Sequence, residues 1–191
     1  MKLAPLCFRE RYTQNNNYLI FELMSLKKMT TLFLICLLAA TNSGAVLAET
    51  PEEWVRLGGR VHGGFGSYIA LGIRIGLDAM KRLDAQPRDL KVTYQEGQNS
   101  PCPCVVDGIM IATVATPGQN SLQVLPSSQD SNILGIAKIE HQKTGKSLRY
   151  IIPSSTRSLL ARWNQDLNER QRYDAVMNAQ ARSLFNVTAK P

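Results

Sequence analysis

Four residues of this chain have the most chemistry within reach: His62, Cys102, Cys104 and Asp107. Imidazole and thiolate are borderline-to-soft ligands, so a His/Cys set favours zinc, copper, nickel or iron over magnesium or calcium. The same two thiols, in Cys102-Pro103-Cys104, can instead cycle between dithiol and disulfide, with Cys104 as the nucleophile and His62 as its base. A third reading leaves both cysteines as buried, inert thiols. Asp107 lies one helical turn after Cys104. It can act as a ligand, as a carboxylate capping the helix start, or as the acceptor that orients His62. The glycine-rich segment Gly63 to Gly66 can offer backbone N–H groups to an anion. It lacks the Lys-Ser/Thr of a P-loop and the preceding strand of a dinucleotide-binding loop. His141, beside a hairpin, is expected at the surface.

Both clusters precede apolar runs with helical spacing, and that is what could bring them together. Ser67 reads as an N-cap, and Ile69, Ile73, Leu77 and Met80 then mark one buried face of a helix ending near Leu83. Gly72, Gly76 and Ala79 form a second strip where another element can approach closely. From Cys104, the residues Val105, Ile109 and Ala112, with Val106, Met110 and Ile111 around them, make a helix that is apolar nearly all round and therefore central. If the two helix starts meet, His62 and Cys104 share a pocket. The remaining elements are a short helix from Pro51 that stops at Gly58-Gly59, a strand over Leu90–Tyr94, and a hairpin of Ile133–Glu140 with Ser147–Ile152 around Thr144-Gly145. A helical region is expected to begin at Ser154-Ser155, with its first part closing at Trp163, followed by a longer, mostly polar helix from Asp166 to Phe185. The predicted fold is α+β: a small, mainly antiparallel sheet packed with two buried helices, plus a C-terminal helical arm.

The chain has 191 residues, but the first 48 read as a targeting segment. Lys27-Lys28, the apolar run Leu32–Ala40 and the small residues before Ala48 are the parts of a signal peptide cut after Ala48. The run is shorter than the ~20 residues a membrane span needs. Met24 is the expected true start, which makes residues 1–23 a mis-called extension. The expected organisation is therefore 1–48 signal, 49–153 α+β domain and 154–191 helical extension, in a periplasmic or secreted protein with no stable membrane insertion after cleavage. Five of the 22 Lys+Arg and two of the 15 Asp+Glu precede residue 49, so the remainder carries 17 against 13, a mild +4. The basic residues are scattered without an aromatic stripe, so no nucleic-acid partner is expected. Cys7 and Cys36 also precede residue 49, leaving Cys102 and Cys104 as the only thiols of the exported part.

Two stretches carry a family resemblance. The first is His62-Gly63-Gly64-Phe65-Gly66-Ser67-Tyr68 running into Gly72-Ile73-Arg74. The second is Cys104-Val105-Val106-Asp107-Gly108-Ile109, followed by Thr113-Val114-Ala115-Thr116-Pro117-Gly118 and Leu122. Together they resemble the formylmethanofuran dehydrogenase E-subunit family, whose first motif is His-Gly-His-x-Cys-Pro-Gly ahead of a helix with Gly-x-Arg. The family's second motif sets a Cys three residues before an Asp at the start of an apolar helix. The likeness covers roughly residues 52–152. The family's second His falls on Gly64, its first-motif Cys on Gly66 and its later Cys on Ala115, while His62, Cys104, Asp107 and Arg74 keep their places.

The resemblance implies a pocket with His62, Cys104, Asp107 and the additional Cys102 as metal ligands, and Gly63, Gly64 and Arg74 as cofactor-binding residues. It also implies a homodimer. The expected function is an exported binding protein holding a transition metal, zinc first, or a metal-bearing cofactor. Two alternatives stand beside it. One is an interaction or accessory module with a decayed pocket, docking on a second copy or a partner enzyme through the long C-terminal helix. The other is a Cys-x-Cys thiol–disulfide oxidoreductase.

Overall fold

The computed structural model describes residues 49–190. The expected signal peptide and the Met24 start lie outside the described residues.

Helix α1 (Pro51–His62) opens on a capping box. The Glu53 backbone N–H donates to the Thr50 hydroxyl, and the Glu53 carboxylate accepts from the Thr50 backbone N–H at 2.7 Å. Gly58-Gly59 does not end it, contrary to expectation. Gly58 is buried where a Cβ would press into the Phe65 ring, so this glycine serves packing. The helix ends at Gly63, whose φ of 90° is left-handed and whose N–H returns to the Gly59 carbonyl. His62 is therefore the last residue of a helix and not part of a loop.

Helix α2 (Ser67–Leu83) is capped differently from the sequence reading. Its N-cap is Gly66, and Ser67 is its first residue. The Ser67 backbone N–H donates to Asn164 Oδ1 at 2.7 Å, and its hydroxyl donates to the Leu160 carbonyl at 2.8 Å. The cap is thus supplied from a distant helix. Helix α3 (Cys104–Thr113) lies against α2 through the small-residue strip. A Cβ on Gly72 would meet Gly108 Cα at 2.8 Å, and one on Gly76 would meet Ala112 Cβ at 2.7 Å. Contacts advance in the same direction along both helices, so they run parallel and their N-termini lie at the same end.

Five strands form one sheet in the order β2-β1-β3-β4-β5: β1 (Leu90–Gly97), β2 (Leu122–Ser128), β3 (Ile133–His141), β4 (Ser147–Pro153) and β5 (Asn186–Lys190). Only the β1–β2 pair is parallel. Register places Val92, Ile139 and Leu148 in one row, and Tyr94, Ala137, Tyr150 and Val187 in the next. These rows point at the helices and, with α2 and α3, make the core. His141 continues the same alternation. It is 6 % exposed, and its Nδ1 accepts the Lys143 backbone N–H, so it is not the surface residue expected. Gly135 leaves room for the Tyr94 hydroxyl, which burial pushes well above the usual tyrosine range.

The α+β class, the mainly antiparallel sheet and the two buried helices match the reading from sequence. The C-terminal segment needs correction. The helical region expected to begin at Ser154-Ser155 is α4 (Thr156–Asp166), but in place of one helix from Asp166 to Phe185 there are α5 (Glu169–Asn178), a 3-10 turn at Ala181–Ser183, and then β5. The break after Leu167 is a new N-terminus: Asn168 caps α5 in a box with Gln171. Leu160, Val176 and Leu184 are 0 % exposed, so this segment closes the core and is not a free arm. Arg74 takes part in that closure. Its guanidinium donates to the Val176 carbonyl at the end of α5 and lies 5.9 Å from the Phe185 ring centroid.

Candidate functional site

The converging N-termini of α2 and α3 open onto a cleft of about 560 Å³. His62, Gly63, Gly64, Cys102 and Cys104 all line it. Each reaches the wall for a local reason. His62 is delivered by the end of α1 and held there by the Gly63 turn. Cys104 is the first residue of α3. Cys102 and Pro101 belong to the connection from β1, and the Ser100 hydroxyl donates to the Cys102 carbonyl.

Asp107, one turn into α3, stands behind His62. The His62 Nδ1–Asp107 Oδ2 distance is 2.7 Å, and both side chains are about one-third exposed, at 30 % and 33 %. An ionised carboxylate can only accept, so Nδ1–H is the donor to it, and an imidazole held this way presents its other nitrogen, Nε2, away from Asp107. A carboxylate bonded to the second nitrogen of an imidazole is the arrangement that orients metal-bound histidines. Arg74, in contrast, is committed to α5 and does not line the cleft, so it is not placed to bind a ligand there.

The sulfurs of Cys102 and Cys104 are joined as a disulfide, with their Cα atoms 5.3 Å apart. Cys104 is 8 % exposed, whereas Cys102 is only partly buried. Cys102 is thus the more accessible residue of the pair, although both line the cleft and the nucleophile expected from sequence was Cys104. Thiolate is the ligating form of cysteine, and a disulfide offers none. Among the described residues no group of three or more His, Cys, Asp or Glu is placed to hold a metal ion. The donor set therefore does not fit a resident metal while the disulfide stands. Reduction frees two sulfurs in the cleft that His62 also lines, which makes three soft or borderline donors.

The rest of the lining comes mostly from residues that carried no signal in the sequence. Asn164 of α4 and Glu169 and Arg172 of α5 belong to it, with Tyr68 of α2. The Glu169 carboxylate accepts the Phe65 backbone N–H at 3.2 Å. Arg172 donates to the Phe65 carbonyl at 3.0 Å and to the Asn164 carbonyl at 2.8 Å. The glycine-rich segment is thereby fixed to both C-terminal helices. Burial raises the Tyr68 phenol above its ordinary pKa, with Arg157 opposing, so the cleft has a neutral hydroxyl in its lining.

Comparison with known proteins identifies a family. The family model FmdE, described as "Molybdenum formylmethanofuran dehydrogenase operon", matches residues 61–189. The match starts beside His62 and runs through α4, α5 and most of β5, so it takes in the C-terminal segment as well as both helix starts. No curated protein matches the chain.

Proposed function

We propose, from the premise that this chain belongs to the FmdE family, the formylmethanofuran dehydrogenase E-subunit family, that it is an exported binding protein whose cleft takes a transition metal, or a metal-bearing cofactor, in the dithiol state. The observation that carries this reading is the 2.7 Å contact of Asp107 with His62 Nδ1, on an imidazole that shares its cleft with both cysteines. His62 Nε2 and the sulfurs of Cys102 and Cys104 would hold the ion, and Asp107 would fix the imidazole. Such a donor set suits zinc first. A bound ion would supply Lewis acidity at the cleft. The disulfide is the state that does not bind.

The test is elemental analysis of the full exported chain, prepared once under reducing and once under oxidising conditions and then dialysed with zinc. About one equivalent is expected after reduction, little or none after oxidation, and little in Cys104→Ser under either condition. Equal metal content in the two preparations would sink the reading. Export is supported by the basic, apolar and small-residue succession before Ala48. Among the described residues no helix is long and apolar enough to cross a membrane. Cell fractionation of a C-terminally tagged chain should place it in the periplasm or medium, shortened at its N-terminus.

A second reading, docking on another copy or on a partner enzyme, has one observation in its favour. The long helix expected to carry it does not exist, but β2 is an edge strand with Val124 55 % exposed. An unpaired strand edge can template pairing with another chain. Val124→Lys is expected to turn a dimer into a monomer in sedimentation, with the thermal midpoint of the monomer unchanged. A chain that is monomeric from the start would remove this reading.

A further inference from the structure

We propose that the Cys102–Cys104 disulfide exchanges with small peptide thiols entering the cleft, with Cys102 as the sulfur attacked and Cys104 as the sulfur released. The inference uses the same cleft as the proposed function but needs no metal, and the two fail separately.

Exchange requires an incoming thiolate to reach one sulfur and the other sulfur to leave with the electron pair. The two cysteines differ in both respects. Cys102 sits in the β1–α3 connection and is only partly buried, whereas Cys104 is 8 % exposed. Cys104 is also the first residue of α3, a helix of ten residues whose N-terminal partial positive charge favours the negative charge that develops on departure. The parallel helix α2 brings its own N-terminus to the same end, as the Gly72–Gly108 crossing requires. The step balances simply. The incoming thiolate forms a bond to Cys102 Sγ, the Cys102–Cys104 bond breaks, and its electron pair leaves on Cys104 Sγ. A second thiol then attacks the mixed disulfide, so two thiols are oxidised to one disulfide and the protein disulfide is reduced to the dithiol. In the reverse direction Cys102 attacks and Cys104 resolves.

The cleft sets the class of thiol. Its volume, about 560 Å³, is that of a small-molecule site. Its walls mix apolar side chains with a few polar groups, a combination suited to a small peptide. The backbone N–H groups of Gly64 and Gly66 have no hydrogen-bond partner among the described residues, and Arg172 pairs with carbonyls and not with a carboxylate. These donors suit the terminal carboxylate of a peptide thiol. The Glu169 carboxylate accepts the Phe65 N–H without losing its negative charge, so it opposes an incoming carboxylate and Arg172 must offset it.

The test uses the full exported chain and glutathione. Oxidised native protein is mixed with reduced glutathione, quenched in acid and mapped by mass spectrometry. The transient adduct is expected on Cys102, with the disulfide reduced without denaturant. In the reverse direction, at equal thiolate concentration, Cys104→Ser is expected to trap glutathione on Cys102 from oxidised glutathione about tenfold faster than Cys102→Ser traps it on Cys104, because the more exposed residue is reached more readily. Glutathione should also outpace uncharged 2-mercaptoethanol at equal thiolate concentration. An adduct on Cys104, equal trapping rates, or reduction that waits for unfolding would overturn the assignment, and equal rates for the two thiols would overturn the peptide class. Mapping on the native chain stands even if a serine variant fails to fold. Exchange without zinc uptake would remove the metal reading alone, and zinc uptake without exchange would remove this one.

Discussion

Gly72→Ala is expected to lower the stability of the described domain by about 3 kcal/mol or more, a large share of the 5–15 kcal/mol typical of a native domain. The added methyl would run into the Val105 carbonyl oxygen and would sit 2.8 Å from Gly108 Cα and 2.9 Å from the Ile109 nitrogen. All three are backbone atoms of α3, so no rotamer change relieves them. The helices must separate instead. Ile69, Ile73, Ile109 and the other fully buried residues of that interface would then lose contacts that close packing supplies. Gly108→Ala meets the same obstacle from the other side, against the Ile69 carbonyl oxygen and Gly72 Cα. The expected thermal midpoint falls by roughly 10 °C or more, read by circular dichroism. Gly59→Ala is the control. That glycine is inside α1 with no heavy atom within 4 Å of an added Cβ, so alanine should stabilise by about 0.4–1 kcal/mol through the unfolded chain. If Gly72→Ala melted like the native protein, the parallel crossing that brings the two helix starts together would be wrong, and the cleft with it.

This crossing was also the most legible feature of the sequence. The strip Gly72, Gly76 and Ala79 on an otherwise apolar helix marks a face with room for another backbone, and the all-apolar helix from Cys104 needs such a neighbour. The location of His62 and Cys104 on one cleft follows from those two local patterns. What the sequence hid depends on longer-range contacts. Asn164 caps α2, and Arg172 ties down Phe65, across more than ninety positions of chain, and no periodicity encodes that. Strand β2 carries exposed and half-exposed positions and a proline, so it reads as loop until β1 is there to pair with it. Two errors had a signal within reach. Asn168 with Gln171 three residues later is a capping box, which should have divided the expected C-terminal helix. His141 is in phase with Ile139 and Ala137, the buried positions of β3, which should have placed it inside.

The carboxylate behind His62 gives the second large expected effect. Asp107→Ala should weaken zinc binding by the reduced chain about 10- to 100-fold, the usual loss when the acceptor behind a ligating histidine is removed. Without that acceptor nothing fixes which nitrogen of the imidazole carries the proton, and the ring is free to turn away from the sulfurs. The cost to folding should be much smaller. The pair is about one-third exposed on both sides, and such pairs contribute about 0–1 kcal/mol after screening. The loss of an acid from the first turn of α3 adds a few tenths more. Asp107→Asn separates geometry from charge, because its amide oxygen can still accept from Nδ1–H while the negative charge is gone. Its affinity should fall between those of the native and alanine forms. Competition against a chromophoric chelator, with thiols kept reduced, gives all three values. If the alanine variant binds zinc as the native chain does, His62 is not a ligand, and its bond to Asp107 only joins the end of α1 to α3.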